Sequence, residues 1–326
     1  MAQSKPIEAI ADLPVVDIAR LPHDPAALHM IDRACREWGC FLIRGFEHIS
    51  EMRQQLMGEL EAAMHAFFAL KAPQKRAIER TAENAWGYYD RELTKNTRDW
   101  KEIFDVGPAT GTSKPQWPGQ LTSFRPLVER YYRACEGLAF PLLRAISTCL
   151  GMPAQHLDAE FEEHTSFLRL NYYAPCVAPA GPDEPSGPGA RPFGINHHTD
   201  SGALTILLQD RQPGLQLFRD DRWHLVQPLA GTLTVNIGDI VQVWSNDRYT
   251  APLHRVLASS EAPRYSAPFF FNPAPAADYA PLPSLCVDEQ PRYRSINWGE
   301  FRAQRAAGDY ADIGSEIQIS DFRIGA

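Results

Sequence analysis

The spacing of apolar residues changes near position 160: before it they recur three or four apart, after it they alternate in short runs. Ala27, Ile31, Ala34 and Trp38 share one face of a predicted helix that Asp24 caps and Pro25 opens, and Gly39 ends it. Met52, Leu56, Leu60, Met64 and Phe67 form a second stripe, on a helix beginning near Ser50. The longest predicted helix, 124–150, buries Leu127, Tyr131, Cys135, Leu138, Leu142 and Ile146, with a kink expected at Pro141 and a stop at Gly151 and Pro153. Residues 13–18 and 40–43 read as short strands. Between 81 and 118 periodicity is poor, which predicts a long ordered loop region with short strands.

Beyond 160 the pattern becomes one of strands, at 166–173, 203–209, 215–218, 223–226, 233–237, 240–244, 253–258 and 265–271. Turns are expected at Gly238-Asp239 and at Ser245-Asn246-Asp247, and 174–192 is crowded with Pro and Gly, as an irregular surface loop would be. Many short strands at close spacing predict a sandwich or jelly roll, mainly β with flanking helices. The expected division is a helical and mixed region over 1–160 buttressing a core over 161–275, with 276–326 packing back on that core. This last segment should hold a helix through Phe301, a turn at Gly308-Asp309 and an extended piece at 317–319.

A chain of 326 residues, 44% hydrophobic, can bury a sizeable core, and no stretch approaches the roughly 18 apolar residues of a membrane span. The net charge of −8 argues against a polyanion, because nucleic-acid binding rests on Lys and Arg meeting phosphates. The six cysteines are scattered without a Cys-x-x-Cys pair, so reduced thiols in the cytoplasm are expected rather than a zinc ribbon or a disulfide scaffold. The opening residues lack the apolar run of a signal peptide. The expected partner is a small molecule, with no nucleic acid or membrane, for a monomer or weak homo-oligomer.

The chemistry concentrates in 195–272. In Ile195-Asn196-His197-His198-Thr199-Asp200, strand alternation puts His198 and Asp200 on one face and turns His197 to the other. His254 follows 56 residues later on another predicted strand. Two imidazoles and one carboxylate suit non-haem Fe(II) with open positions for oxygen chemistry. Ten residues further, Arg264 and Ser266 share a face, and an inward guanidinium requires an anion. Phe270 has the parity of Arg264 and is a candidate for the substrate wall, provided that Pro268 introduces no bulge.

Together with Ala34-Cys35-Arg36-Glu37-Trp38-Gly39, Asp99-Trp100-Lys101-Glu102-Ile103-Phe104-Asp105 and Leu170-Asn171-Tyr172-Tyr173-Ala174-Pro175, this set resembles the isopenicillin N synthase-like branch of the Fe(II)/2-oxoglutarate-dependent dioxygenases, which includes plant flavonoid and gibberellin oxidases. The resemblance implies a double-stranded β-helix core, a cupin-like jelly roll. It implies Fe(II) at His198, Asp200 and His254, and 2-oxoglutarate with its distal carboxylate on Arg264 and Ser266, helped by Asn171 and Tyr173. With O2 as oxidant, the implied reaction hydroxylates or desaturates a small metabolite and releases succinate and CO2. Family members build the substrate mouth partly from the 81–118 region, which makes Tyr88, Tyr89 and Arg91 candidate substrate contacts. The alternative is an oxidase like isopenicillin N synthase itself, whose Arg-x-Ser grips its own substrate without a 2-oxo acid. Asn171-Tyr172-Tyr173 favours the oxygenase. A third reading is a metal-binding or ligand-sensing jelly roll without turnover, which the complete set of three ligands disfavours.

Overall fold

The computed structural model describes residues 13–185, 187, 189–308, 311 and 314–325. Strand β1 (Val15–Asp17) leads into helix α1 (Pro25–Glu37), strand β2 (Cys40–Arg44), helix α2 (Gln54–Phe68) and the short α3 (Ala72–Arg76). Strands β3 (Gly87–Tyr89), β4 (Leu93–Thr94), β5 (Thr97–Arg98) and β6 (Glu102–Val106) precede the long α4 (Phe124–Cys149). Next come β7 (Phe167–Tyr173), β8 (Ile195–His198), β9 (Leu204–Gln209), β10 (Leu215–Arg219), β11 (Arg222–Leu225) and β12 (Leu233–Ile237). Helix α5 (Asp239–Trp244), β13 (His254–Val256), β14 (Arg264–Phe271), the pair β15 (Asp278–Tyr279) and β16 (Ile296–Asn297), and α6 (Trp298–Ala307) follow.

Two sheets face each other as a jelly roll. The larger runs β1-β2-β12-β9-β14-β7-β6-β3 and the smaller β11-β10-β13-β8. Strands from 1–160 and from 161–275 thus share one sheet, and the 81–118 region contributes β3 and β6 to its end. α1 is capped as its sequence requires: the Asp24 carboxylate accepts from the Ala26 and Ala27 amides at 2.9 and 3.3 Å, with Pro25 in the first turn. α4 continues through Pro141.

Period-two alternation sorts the larger sheet into two faces. Leu233, Val235 and Ile237 of β12, Leu204 and Ile206 of β9, Ala267, Phe269 and Phe271 of β14, and Leu168 and Leu170 of β7 join the core under α1, α2 and α4. The alternate positions on the same four strands are Asn236, Thr205, Arg264, Ser266, Phe270, Asn171 and Tyr173, and these line the space between the sheets. One face is therefore a fully apolar core while the other carries nearly all the polar chemistry.

The strand expected at 240–244 is not found. Residues 240–244 form α5 instead of a strand, so Gly238-Asp239 leads a strand into a helix, and Ser245-Asn246-Asp247 ends that helix with Asn246 and Asp247 at φ 52° and 67°. Ile240, Val241, Val243 and Trp244 are all buried, and a six-residue run that is apolar on most sides carries no period to tell helix from strand. No bulge occurs at Pro268, because β14 keeps one register with β7 on both sides of it, from Arg264 opposite Tyr173 to Phe270 opposite Phe167. The irregularity lies between β13 and β8. Asp309 of the expected 308–309 turn is outside the described residues. Among the described residues no helix is long and apolar enough to cross a membrane.

Candidate active site

β8 ends at His198, and Asp200 sits in the loop just beyond it rather than on the strand. β13 runs antiparallel to β8 with His254 directly opposite His198, which puts the two ring centroids 4.2 Å apart. Donor atoms of His198, Asp200 and His254 all lie within 4.8 Å of one another, and Asp200 Oδ1 is 3.6 Å from Nε2 of each histidine. The two 3.6 Å separations suit a shared centre about 2.1 Å from each donor, the bond length of imidazole and carboxylate ligands.

Each ring is turned by its other nitrogen. His198 Nδ1 lies 2.8 Å from Asn196 O, and His254 Nδ1 3.0 Å from Pro252 O. A carbonyl only accepts, so Nδ1–H donates in both rings and both Nε2 lone pairs face Asp200. Burial, reinforced by His254, lowers the His198 pKa to about 3, which keeps that imidazole neutral. Burial pushes the Asp200 carboxyl upward, but His254, His198 and hydrogen bonds from Asn236 and Thr205 outweigh it and leave the pKa lowered. Asn236 Nδ2 donates to Asp200 Oδ2 at 2.9 Å, and the Thr205 hydroxyl donates to the same oxygen. Gly238 lets the chain close behind this loop, since a Cβ there would stand 2.2 Å from Gly202 O and 2.7 Å from Asp200 O.

The same cavity holds a cation. Arg264 is buried, with Nη2 donating to Gln209 Oε1 at 2.8 Å and Nε to Gln212 O at 3.2 Å, and with its guanidinium 5.0 Å from the Tyr173 ring. Its Nη1 has no hydrogen-bond partner among the described residues, and neither does Asn171 Oδ1. Ser266 Oγ accepts from Asn171 Nδ2 at 3.3 Å and lies 3.4 Å from the Tyr173 hydroxyl. A buried guanidinium with a spare donor, beside two hydroxyls, is the donor set that a carboxylate fills. The structure brings His198, Asp200, His254, Arg264, Ser266, Asn171, Tyr173 and Phe270 to one cavity, and His197 is not among its lining residues.

Tyr88, Tyr89 and Arg91 lie elsewhere. Tyr88 is in the helix-side core with its hydroxyl donating to Glu102 at 2.9 Å, Tyr89 is buried beneath the guanidinium groups of Arg80 and Arg91, and exposed Arg91 pairs with Glu79 and Asp90. None of the three lines the cavity. Its outer wall is instead built by Glu92, Lys101, Phe167, Arg169, Arg302 and Arg305. Sequence reasoning gave these no role, and missed Thr205 and Asn236, because they come from separate elements and, Lys101 apart, lie in no motif that points to the site.

Two family models match the chain: "2OG-Fe(II) oxygenase superfamily" over residues 164–273, and "non-haem dioxygenase in morphine synthesis N-terminal" over 13–123. Gibberellin 3-beta-dioxygenase 2-1 of Triticum aestivum is 30% identical over 308 residues, covering 90% of this chain and 78% of that relative. The chain belongs to the Fe(II)/2-oxoglutarate oxygenases. Gibberellin 2-beta-dioxygenase 6 of Oryza sativa subsp. japonica is 31% identical to this oxygenase, covering 95% of it and 85% of the rice protein. The crystal structure of JOX2 in complex with 2OG, Fe and JA superposes with a TM-score of 0.79 at 25% identity, over 98% of this oxygenase and 91% of JOX2. The dioxygenase for auxin oxidation in rice shares the fold at a TM-score of 0.72 and 24% identity, over 96% of this oxygenase and 100% of the rice chain. Fe(II), 2-oxoglutarate and O2 are the cofactor and cosubstrates of this family, and the donor set in the cavity fits the first two.

Proposed function

We propose that this oxygenase binds Fe(II) through His198, Asp200 and His254, holds the distal carboxylate of 2-oxoglutarate on Arg264 and Ser266 with Asn171 and Tyr173, and oxidises a small metabolite lying against Phe270. The observation that carries this reading is the unsatisfied Arg264 Nη1, buried in the same cavity as the three metal-ligating side chains. Fe(II) with 2-oxoglutarate supplies the activation of O2 and the oxidation of a C–H bond, as the 2-oxo acid leaves as succinate and CO2.

The protein's own residues bind, orient and exclude water. The Nδ1–H donors of His198 and His254 fix both rings with Nε2 inward, while Thr205 and Asn236 hold one oxygen of Asp200 and leave the other for the metal. The planar guanidinium of Arg264 presents its donors in a fork that matches the two oxygens of a carboxylate. Phe167 and Phe270 stack with centroids 4.7 Å apart and form an apolar wall that keeps water from the reacting carbon. Residues 161–275 act as the catalytic core, supported by 1–160 and by 276–326, in a monomer or weak homo-oligomer. Relatives named for gibberellin oxidation support a metabolite as substrate. The test is oxygen uptake and succinate release by the Fe(II)-loaded protein with 2-oxoglutarate and fractionated metabolite extracts. Oxidation of a metabolite at an undiminished rate without any 2-oxo acid would sink the cosubstrate assignment.

A further inference from the structure

The segment Asp99-Trp100-Lys101 stands out in the sequence but has no part in the roles above. In the structure it grips the strand that carries His198. Asp99 Oδ1 accepts both the backbone N–H and the side-chain Nδ2–H of Asn196, each at 3.0 Å, and the Asn196 carbonyl accepts the His198 Nδ1–H at 2.8 Å. The other Asp99 oxygen accepts from Thr94 Oγ1 at 2.7 Å and lies 3.0 Å from Lys101 Nζ. Lys101 reaches a second carboxylate, Glu92, at 2.7 Å, so one buried ammonium bridges Asp99 and Glu92. The Trp100 amide donates to Phe193 O at 2.9 Å, and its indole N–H to Ala174 O at 2.8 Å, which ties together the two ends of the Pro- and Gly-rich loop that feeds β8.

The need for such a grip follows from the topology. β13 lies inside its sheet between β10 and β8, whereas β8 is a four-residue edge strand, paired on one side only and in an interrupted register. His254 is therefore held by its own sheet, and His198 needs an anchor from outside it.

We propose that Asp99 is a positioning residue for His198: by taking both donors of Asn196 it fixes the carbonyl that orients the imidazole toward the metal. The inference rests on the ligand assignment proposed above. Loss of a group that orients a metal-ligating histidine typically costs about 10- to 100-fold in metal affinity.

The probe is Co(II), titrated into the metal-free full-length protein and followed by its visible absorption and by proton NMR of the paramagnetically shifted, exchangeable imidazole N–H signals. Wild-type protein should give two such signals, from His198 and His254. Asp99→Ala, which removes the oxygen that both Asn196 donors share, should bind Co(II) about 10- to 100-fold more weakly. One N–H signal should shift or exchange faster while the other stays in place. Asn196→Ser keeps the backbone bond to Asp99 and loses the side-chain bond, and should give a smaller change in the same direction, so the idea stays testable should Asp99→Ala not fold. Two unchanged signals and unchanged affinity in the folded variants would overturn the role of Asp99 and leave the ligand assignment intact. Failure of wild-type protein to bind Co(II), or the absence of two shifted signals from it, would overturn both.

Discussion

Replacing Arg264 with Met tests the cosubstrate subsite through stability as well as binding. Without ligand, wild-type protein buries a guanidinium whose only hydrogen-bond acceptors among the described residues are Gln209 Oε1 and the Gln212 carbonyl, both neutral, and whose Nη1 is unsatisfied. Removing such a charge relieves a desolvation cost and leaves two neutral carbonyl oxygens short of a donor, so the ligand-free variant should be about as stable as wild type. The bound state should differ sharply. One or two charge-assisted bonds lost, at about 1.5–3 kcal/mol each, weaken 2-oxoglutarate binding roughly a hundredfold. At a concentration of 100 times its Kd, the ligand stabilises wild type by about 2.7 kcal/mol, and a hundredfold weaker site gains only about 0.4 kcal/mol from the same solution. In a domain of this size that separates a melting shift of roughly 5 °C from one of about 1 °C. The assay is thermal melting of the Mn(II)-loaded protein with and without 2-oxoglutarate. A full shift in the Arg264→Met variant would refute the reasoning, and so would a ligand-free variant destabilised by about 3 kcal/mol or more.

Three further outcomes are expected. Asp200→Ala should abolish turnover and most bound iron while far-UV circular dichroism is unchanged, because it removes one of the three proposed ligands; retained iron with a wild-type rate would exclude Asp200 as a ligand. Thr205→Val, equal in shape, deletes the hydroxyl that holds Asp200 Oδ2 and should weaken Fe(II) binding by about tenfold or more with little change in melting temperature; an unaltered titration curve would show the hydroxyl to be dispensable. Glu92→Gln should cost about 3–5 kcal/mol in denaturant unfolding at pH 7, since Arg80, Lys101 and Arg169 all pair with that carboxylate. Burial alone would raise the Glu92 pKa, yet those three cations hold it well below the usual carboxylate range. A depressed folded pKa contributes stability above the unfolded value near 4.3 that is lost as pH falls, so the gap between wild type and Glu92→Gln should narrow below about pH 4; a constant gap down to about pH 2.5 would contradict it.

What the sequence disclosed, it disclosed through period and spacing. Alternation put Arg264 with Ser266 and Phe270, and a single register through Pro268 keeps those three on one face, whereas Asp200 meets His198 from the loop beyond β8. What stayed hidden depends on pairing between distant elements. Thr205 and Asn236 look like ordinary strand residues until β9 and β12 lie side by side beneath Asp200. Glu92, Asp99, Lys101, Asp105 and Arg169 received no role from the sequence, although three of them lie in the matching stretch 99–105, and only the packing of β6 on β7 brings them into a buried network. The family resemblance made Tyr88 and Tyr89 candidates for a substrate mouth, whereas the pairing of β3 with β6 takes them to the far end of the sheet. α5 was invisible as a helix because burial on nearly every side erased its polar face.

The central claim, one cavity that chelates Fe(II) and 2-oxoglutarate together, is tested most directly by anaerobic absorption spectroscopy of the wild-type protein. Added to the Fe(II) protein, 2-oxoglutarate should produce a weak visible charge-transfer band that saturates at one equivalent per chain and is absent from the His254→Ala variant. A protein that binds Fe(II) at His198, Asp200 and His254 yet shows no band at any 2-oxoglutarate concentration would contradict the claim.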